Sequence, residues 1–261
     1  MIVIPDVHGR IFWKQAVEAA RPDEKIVFLG DYLDPYMYEF DENPDLIPLN
    51  ESYEKIRDHV MNNFKEIIEL KKQNPDRVVL LLGNHDCTYA ISTGICDCRR
   101  DRFNQKEYEK LFDENKNLFT LVHFERVNDR EYIFSHAGYH REYAVSLFGE
   151  DVEDNPLKAC NELLYHWKEE TYGVLDSLGR CSFYRGGYGK TGSIVWADVR
   201  EWATTETVEY NAYQVFGHTQ LNENPIITED FACLDCRRGF RFEDGKFYEL
   251  TGEELPVKKL S

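Results

Sequence analysis

Five short segments of the chain each place a carboxylate, amide or imidazole side chain beside a glycine, directly after an apolar run. The carboxyl ends of strands in an open α/β sheet share one edge, so side chains that follow different strands can meet there. Mixed oxygen and nitrogen ligands suit divalent manganese, iron or zinc better than soft copper. In chain order the segments are Asp6-Val7-His8-Gly9, Gly30-Asp31-Tyr32-Leu33-Asp34, Gly83-Asn84-His85-Asp86, Ser135-His136-Ala137-Gly138 and Phe216-Gly217-His218-Thr219.

These segments offer more ligands than one catalytic metal uses, because such a site needs three protein ligands and an open position. Burying that many polar groups without partners would cost several kcal/mol. We therefore predict two metal ions, which can clamp both oxygens of an in-line phosphoryl displacement. Asp31, alone on its glycine turn, is the candidate bridge between them. The six candidate ligands are Asp6, His8, Asp31, Asn84, His136 and His218.

Apolar periodicity predicts the elements that position these side chains. An alternation of strand and helix in the first third of the chain indicates a parallel sheet with right-handed crossovers. In chain order we predict strands at 1–4, 25–29 and 77–82 separated by helices at 11–20 and 53–72, an irregular helical region at 87–119, a hairpin of 119–127 and 130–135 that turns at Asn128-Asp129, helices at 141–148 and 156–167, a strand at 193–197, and short strands from 213 onward.

Composition narrows the function class. The 261 residues carry a formal net charge of −17, which argues against a nucleic-acid polymer as partner, since phosphate backbones need clustered Lys and Arg. No apolar run reaches the roughly 20 residues of a membrane span, and the start does not resemble a signal peptide. No repeat or linker divides the chain, so we expect residues 1–261 to form a single domain, located in the cytoplasm.

The seven cysteines leave two interpretations open. Cys96-x-Cys98 and Cys233-x-x-Cys236 together offer four thiolates, the ligand set of a closed structural zinc site. However, the first spacing is one residue shorter than usual, and the two pairs lie far apart in the sequence. Free thiols in packed, reduced surroundings are the preferred interpretation.

The five segments and Trp196-Ala197-Asp198, in this order, resemble the motifs of the calcineurin-like metallophosphoesterase superfamily. More narrowly, they are similar to the serine/threonine protein phosphatase branch of bacterial type, which also includes diadenosine tetraphosphate hydrolases. The resemblance extends from about Ile2 to Leu234. It implies an α/β fold, a four-layer α/β/β/α sandwich with two mixed β-sheets and the metals at the common edge of the sheets.

The resemblance also implies a role for each residue. His85 is implied as the general acid that protonates the leaving oxygen, and Asp34 as the carboxylate that orients it. A metal-bridging hydroxide attacks phosphorus in line, and manganese is the first expectation for the two divalent ions, with iron or zinc as alternatives. The implied ligands are Asp6, His8 and Asp31 for the first ion, and Asp31, Asn84, His136 and His218 for the second.

Two features depart from that branch. There, the second Asp of the Gly-Asp-x-x-Asp motif is followed by an arginine that binds the substrate phosphate, whereas here Pro35-Tyr36 follows. A proline cannot make a bidentate phosphate contact. In addition, residues 35–52 form an insertion where substrate would enter. The candidate replacements for the arginine are, in order of preference, Arg185 and Arg200, then Arg99 and Arg100.

The expected activity is hydrolysis of phosphate monoesters, with a phosphorylated protein as the first choice of substrate and a small phosphate ester as another. The alternative is a nucleotide or diadenosine polyphosphate hydrolase, because Tyr36 or Tyr38 offers a ring on which a base can stack. A metal-free binding scaffold is the alternative from another class, but such relatives lose ligands, and none of the six is missing here. The sequence predicts nothing about the oligomeric state.

Overall fold

The computed structural model describes residues 1–36, 53–91, 98–202 and 209–258. Most of the predicted insertion, as well as Cys96 of the predicted zinc alternative, lies outside these ranges. The strands in the described ranges are β1 (Ile2–Ile4), β2 (Ile26–Phe28), β3 (Val78–Leu81), β4 (Phe119–Thr120), β5 (Val122–Val127), β6 (Arg130–Ser135), β7 (Tyr213–Phe216), β8 (Ile226–Ile227), β9 (Phe231–Cys233), β10 (Phe240–Glu243) and β11 (Lys246–Glu249).

The described helices include those predicted and two short ones that were not, at Tyr172–Ser177 and Val199–Trp202. None of them combines the length and the apolar character that a membrane span needs. Three short 3-10 helices lie at Lys116–Leu118, Glu150–Val152 and Phe183–Arg185. The α-helices are α1 (Phe12–Glu18), α2 (Tyr53–Gln73), α3 (Asn84–Ala90), α4 (Gln105–Glu114), α5 (Arg141–Phe148), α6 (Pro156–Lys168), α7 (Tyr172–Ser177) and α8 (Val199–Trp202).

The strands form two mixed sheets. The first has the order β11-β10-β1-β2-β3-β4, in which β1 to β4 are parallel and β10 and β11 are antiparallel to their neighbours. The second has the order β5-β6-β7-β9-β8, with β6, β7 and β9 parallel and the outer strands antiparallel. The predicted parallel arrangement of β1, β2 and β3 is confirmed.

Alternating side chains of β1 show how the layers stack, because successive residues of a strand point to opposite faces. Val3 lies in the core between the two sheets, together with Phe134 of the second sheet and Phe242. Ile2 and Ile4 point to the opposite face, into the core between the sheets and the helices that cover them, which we call the outer core. A fully buried side chain of this size contributes about 1.5–3 kcal/mol relative to an exposed one, so both faces of the sheet stabilise the fold.

Helices cover the outer faces. Trp13 of α1 and Phe64 of α2 pack in the outer core of the first sheet, and α6 contacts β5 of the second. The predicted four-layer sandwich with two mixed sheets is therefore confirmed. It places the carboxyl ends of five site-bearing strands, β1, β2, β3, β6 and β7, at positions from which their following loops can meet.

The predicted hairpin forms, but its first strand is divided. Asn128 and Asp129 both have positive φ, 49° and 65°, as a two-residue turn with the twist of a hairpin requires. Phe119–Thr120 pairs with β3 in the first sheet, whereas Val122–Val127 pairs with β6 in the second. The change at Leu121 thus carries the chain from one sheet to the other.

The prediction of a strand at 193–197 is wrong. The N–H groups of Trp196 and Ala197 both donate to the carbonyl of Ser193, at 3.0 and 2.9 Å, so the segment is a helical turn. The Ser193 hydroxyl donates to the Leu178 carbonyl at 2.7 Å, which fixes the turn from the other side. Ile194 and Val195 are apolar because this turn is buried in the outer core, and not because it extends a sheet.

Candidate metal centre

The side chains predicted as ligands converge between the two sheets. Two hydrogen bonds join the loops of one sheet to those of the other. His136, after β6, donates its Nδ1 proton to the Leu29 carbonyl after β2 at 2.8 Å. The backbone N–H of His218, after β7, donates to Asp6 Oδ1 after β1 at 2.9 Å. Carboxyl ends of parallel strands from both sheets therefore build a single site.

Two groups of potential metal ligands form in this site. In each group the ligand atoms lie within 4.8 Å of one another. The first group contains His8, Asp31 and His85, and the second contains Asp31, His136 and His218. Asp31 belongs to both, which is the position expected of a bridging carboxylate. The first group includes His85 where the prediction had Asp6. Asp6 accepts a hydrogen bond from the backbone of His218, a member of the second group.

The imidazoles present the nitrogen that a metal needs. Nδ1 of His8 lies 2.7 Å from the Leu33 carbonyl, and Nδ1 of His136 lies 2.8 Å from the Leu29 carbonyl, so each Nδ1 must carry the proton that it donates. Each Nε2 is left with its lone pair, 3.5 Å from Asp31 Oδ2. Backbone carbonyls that fix the tautomer in this way are typical partners of metal-binding histidines.

Lone pairs face one another in the second group. Nε2 of His136 lies 3.0 Å from Asn84 Oδ1 and 3.1 Å from Nδ1 of His218. Since the His136 proton is on Nδ1, its Nε2 and the amide oxygen are both acceptors. Nε2 of His218 is buried and has no hydrogen-bond partner among the described residues. A cation held between Nε2 of His136, Oδ1 of Asn84 and one nitrogen of His218 gives these acceptors a partner, so the donor set fits a metal ion.

The protonation states also suit metal binding. Burial lowers the pKa of His8 and of His218 well below the ordinary value, and the charge of Arg185 adds to the effect at His218. Both imidazoles are therefore neutral, the form that binds a metal. Burial disfavours an ionised Asp31, but the charge of His85 and the hydrogen bond from its backbone N–H favour the carboxylate, and the pKa of that carboxyl is lowered. Burial and the Asp31 charge raise the pKa of Asp6.

Several site residues have backbone conformations that are uncommon for residues with a Cβ atom. Positive φ angles occur at His8 (45°), Asp31 (52°), Asp34 (57°) and His218 (61°). Each costs of order 1 kcal/mol or more and persists only where the surrounding structure enforces it, which happens most often at functional sites. The local strain therefore coincides with the residues that the sequence assigned to the metals and to catalysis.

His85 and Asp34 form a buried pair at the edge of the centre. His85 Nδ1 lies 2.9 Å from Asp34 Oδ2, and the other carboxylate oxygen accepts from the Tyr89 hydroxyl at 2.6 Å. Burial opposes the charged form of His85, but the Asp31 charge and the Asp34 hydrogen bond outweigh it and raise its pKa. A protonated imidazole with a fixed orientation is suited to donate a proton.

Comparison with known proteins agrees with this geometry. A family model described as calcineurin-like phosphoesterase matches residues 1–221. The chain is a calcineurin-like phosphoesterase. Members of this family use divalent metals, and the predicted family and the predicted metal-dependent hydrolase activity are confirmed. No curated protein matches the chain at a significant level.

Solved structures with the same fold include a cold-active protein-tyrosine phosphatase of a psychrophile, Shewanella sp.. It is 16% identical, with a TM-score of 0.55 over 98% of this chain and 80% of that one. A mutant of a cold-active protein tyrosine phosphatase gives the same values, and a further structure of such an enzyme has a TM-score of 0.53 at 16% identity, over 99% of this chain and 79% of that one. At this identity the likeness shows the fold.

One residue of the phosphoesterase site had no predicted role. The buried carboxylate of Asp86 accepts hydrogen bonds from the backbone N–H groups of Asp31, Tyr32 and Gly83, at 2.6, 3.0 and 2.9 Å. It therefore ties the loop after β2 to the loop after β3. The signal was available, because Asp86 lies in the same segment as Asn84 and His85.

The arginines predicted to replace the missing phosphate ligand occupy two places in the phosphoesterase. Arg185 Nε lies 2.8 Å from Asp198 Oδ2, and its Nη2 donates to Thr219 Oγ1 at 3.0 Å. Arg200 binds the same Asp198 through Nε and Nη2 and also donates to the Tyr184 carbonyl.

Arg99 lies on another side of the site. Its Nη1 donates to the Pro35 carbonyl at 2.6 Å, and its guanidinium lies 3.9 Å from the centre of the Tyr36 ring. That ring stands edge-on to His8, with 4.9 Å between the ring centres. Arg100 lines a neighbouring cavity.

The zinc alternative finds no support in the described part of the phosphoesterase. Within those residues, no cysteine belongs to a group of three potential ligands, and all six described cysteines are free thiols. Cys98 Sγ lies 3.0 Å from Thr88 Oγ1, whereas Cys233 Sγ approaches the Gly217 carbonyl. These thiols fill packed surroundings, as the preferred interpretation of the sequence has it.

Proposed function

We propose that this calcineurin-like phosphoesterase is a phosphoprotein phosphatase of the serine/threonine type, which hydrolyses phosphate monoesters with two divalent ions, manganese first among them. The observation that carries the proposal is the pair of ligand groups that share Asp31, with the His85–Asp34 pair beside them. Two adjacent ions and a nearby proton donor are what the displacement of an alkoxide from phosphorus requires.

In this proposal Asp6, His8 and Asp31 hold one ion, and Asp31 with Asn84, His136 and His218 holds the other. When bound, the ions supply Lewis-acid activation of the phosphate and of the attacking water. The chain's own residues do the rest. Asp34 holds Nδ1 of His85, so that Nε2 carries the proton that passes to the leaving oxygen. Asp86 fixes the backbone around Asp31, and hence the position of its carboxylate.

For the substrate phosphate we propose Arg185 as the direct ligand. Its Nη2 donates to Thr219, the residue that follows the ligand His218, so the guanidinium lies near the second ligand group. Thr219 accepts a hydrogen bond from its Nη2 and Asp198 forms an ion pair with it, which leaves other N–H donors of the guanidinium for a phosphate oxygen. Arg200 supports this arrangement through its own ion pair with Asp198, and a direct phosphate contact is its alternative role.

A phosphorylated protein is favoured over a nucleotide by the surroundings of Tyr36. Its ring was a predicted platform for a base, but the Arg99 guanidinium already covers one face at 3.9 Å. The solved structures that share the fold include protein-tyrosine phosphatases, so phosphotyrosine belongs among the substrates to be tested. We further propose that residues 1–261 form one domain and that the protein is cytoplasmic, in agreement with its free thiols.

The test measures turnover of para-nitrophenyl phosphate by protein loaded with manganese, for wild type, His85→Gln and the matched control His166→Gln. His166 lies on α6 and bonds Thr171, outside the centre. Loss of a general acid lowers kcat by about 10²–10⁴-fold, and the control should retain full turnover. The His85→Gln protein should still bind about two ions per chain. Wild-type turnover in that variant contradicts the proposed acid, and loss of an ion makes His85 a ligand instead.

A further inference from the structure

A cavity of about 360 Å³ opens beside the catalytic pair. Asp34, which holds His85, and Pro35 form part of its wall. Ile56, Val60 and Tyr108 make much of the remainder apolar. This volume lies within the range of about 300–1,000 Å³ that ligand pockets occupy. The cavity thus adjoins the carboxylate that orients His85.

Four arginines line this cavity, in a chain whose net charge is −17. Arg57 lies 3.5 Å from Asp101 and stacks on the Phe103 ring at 4.0 Å. Among the residues that the structure describes, Arg100 and Arg102 have no ion-pair partner. Guanidinium groups bind carboxylate and phosphate oxygens through paired N–H donors. The cavity is therefore a basic surface on an acidic protein.

The segment that carries these arginines is fixed to the catalytic pair. The Asp101 backbone N–H donates to Asp34 Oδ1 at 2.9 Å, and it lies 2.7 Å from the Tyr89 hydroxyl. The Asp101 side chain in turn accepts from the Phe103 backbone at 2.9 Å and from the Asn104 amide. Residues on either side of Asp101 are thus held at a set distance from His85.

We propose that this cavity binds an acidic residue of the substrate, adjacent in the peptide to the phosphorylated residue, through Arg100 and Arg102. The proposal rests on the proposed phosphoprotein phosphatase activity and adds a sequence preference to it. The leaving oxygen meets Nε2 of His85, and the peptide next to the phosphorylated residue extends past the imidazole and Asp34 into the cavity. A neighbouring carboxylate or second phosphate then meets the two unpaired guanidinium groups.

The cavity suits an anionic peptide better than a nucleobase. Arginine offers N–H donors only, whereas a base edge also presents donors that need acceptors. The carboxylates of Asp34 and Asp101, which would be those acceptors, already receive hydrogen bonds from Tyr89, Asn104 and the backbone.

The test compares kcat/KM for phosphopeptides that differ only by Glu or Gln next to the phosphorylated residue, on either side. Wild type should prefer the Glu peptide by about tenfold, which corresponds to one charge-assisted hydrogen bond. In Arg100→Gln with Arg102→Gln the ratio should fall to about one. Because the ratio is taken within each protein, a general loss of activity cancels. The control Lys106→Gln, an exposed charge outside the cavity lining, should keep the wild-type ratio.

The outcomes separate the two proposals. If manganese-loaded protein fails to cleave para-nitrophenyl phosphate, the proposed function is wrong. If it cleaves that ester but treats Glu and Gln peptides alike, or if the preference survives in the double variant, the cavity assignment alone is overturned. If diadenosine polyphosphate is cleaved faster than every peptide, and that rate is lost in the double variant, the cavity binds nucleotides. This outcome also overturns the assignment.

Discussion

Replacing Gly83 by alanine tests whether the position of Asp31 sets metal affinity. Gly83 has φ −95° and ψ 179°, a conformation open to any residue, so the effect of a Cβ is purely steric. That Cβ would lie 2.1 Å from Asp31 Oδ1 and 2.6 Å from the Asp31 backbone nitrogen. The neighbours are a carboxylate that accepts from the His85 backbone N–H and a backbone N–H that donates to Asp86, and neither can rotate away.

The required displacement gives the magnitude. Ordinary contact begins at 3.4 Å, so Asp31 Oδ1 and the new Cβ must separate by about 1.3 Å. Metal–ligand distances are tolerant to only about 0.2 Å. Overpacking of this kind costs about 1–3 kcal/mol of folding free energy, which a chain of this size can survive. Misplacing a ligand that belongs to both groups should lower metal affinity by at least the roughly 10–100-fold seen when supporting contacts are lost.

The assay is calorimetric titration of metal-free protein with manganese, together with thermal unfolding. Gly173→Ala is the matched control, because its Cβ in α7 meets nothing within 4 Å and the helix accepts alanine. That variant should bind metal as wild type does, with stability unchanged or raised by up to about 1 kcal/mol. If Gly83→Ala binds both ions with wild-type affinity, Asp31 does not hold them and the proposed centre is wrong.

Three further results are expected. Asp86→Asn leaves at least one of three backbone N–H donors without an acceptor. The free energy of unfolding, measured by denaturant titration, should therefore fall by about 1–3 kcal/mol, and turnover should fall as well. His140 lies between Glu201 and Glu209, which outweigh its burial and raise its pKa. Protonated His140 therefore contributes its full stabilisation below about pH 6.5, and this stabilisation is lost as the pH rises through the folded pKa. The difference in unfolding free energy between wild type and His140→Gln should accordingly shrink with rising pH. Manganese at a hundredfold excess over its Kd should add about 2.7 kcal/mol per site, which raises Tm by about 5–10 °C, and a chelator should reverse that shift.

The site was predictable from the sequence because its signals are local. An apolar run, a polar side chain and a glycine within a few residues specify a strand and the turn after it. Asp31 and His136 each carry this pattern, although they lie 105 positions apart. The long-range step needs only the rule that parallel strands present their carboxyl ends at a common edge. The gathering of such residues around Asp31 follows from these two facts.

Positions that act through long-range contacts were not predictable in this way. The His140 imidazole stacks on Trp202 at 3.8 Å and lies 3.1 Å from Glu201, yet no local pattern links these residues. The turn at 193–197 was predicted as a strand because Ile194 and Val195 favour strands. Their burial comes from the outer core, and periodicity cannot distinguish one kind of burial from another over so short a run.

The centre also joins the two sheets, and this links metal binding to the fold. Hydrogen bonds from His136 to Leu29 and from His218 to Asp6 connect the sheets at the site itself. The same region concentrates features that oppose folding: buried carboxylates with raised pKa values, such as Asp6, and residues at positive φ. A divalent cation compensates the buried charge, and its binding energy is available only when both sheets are in place. Metal should therefore stabilise the contact between the sheets as well as supply the chemistry, and amide exchange in β1 and β7 should slow together when manganese binds.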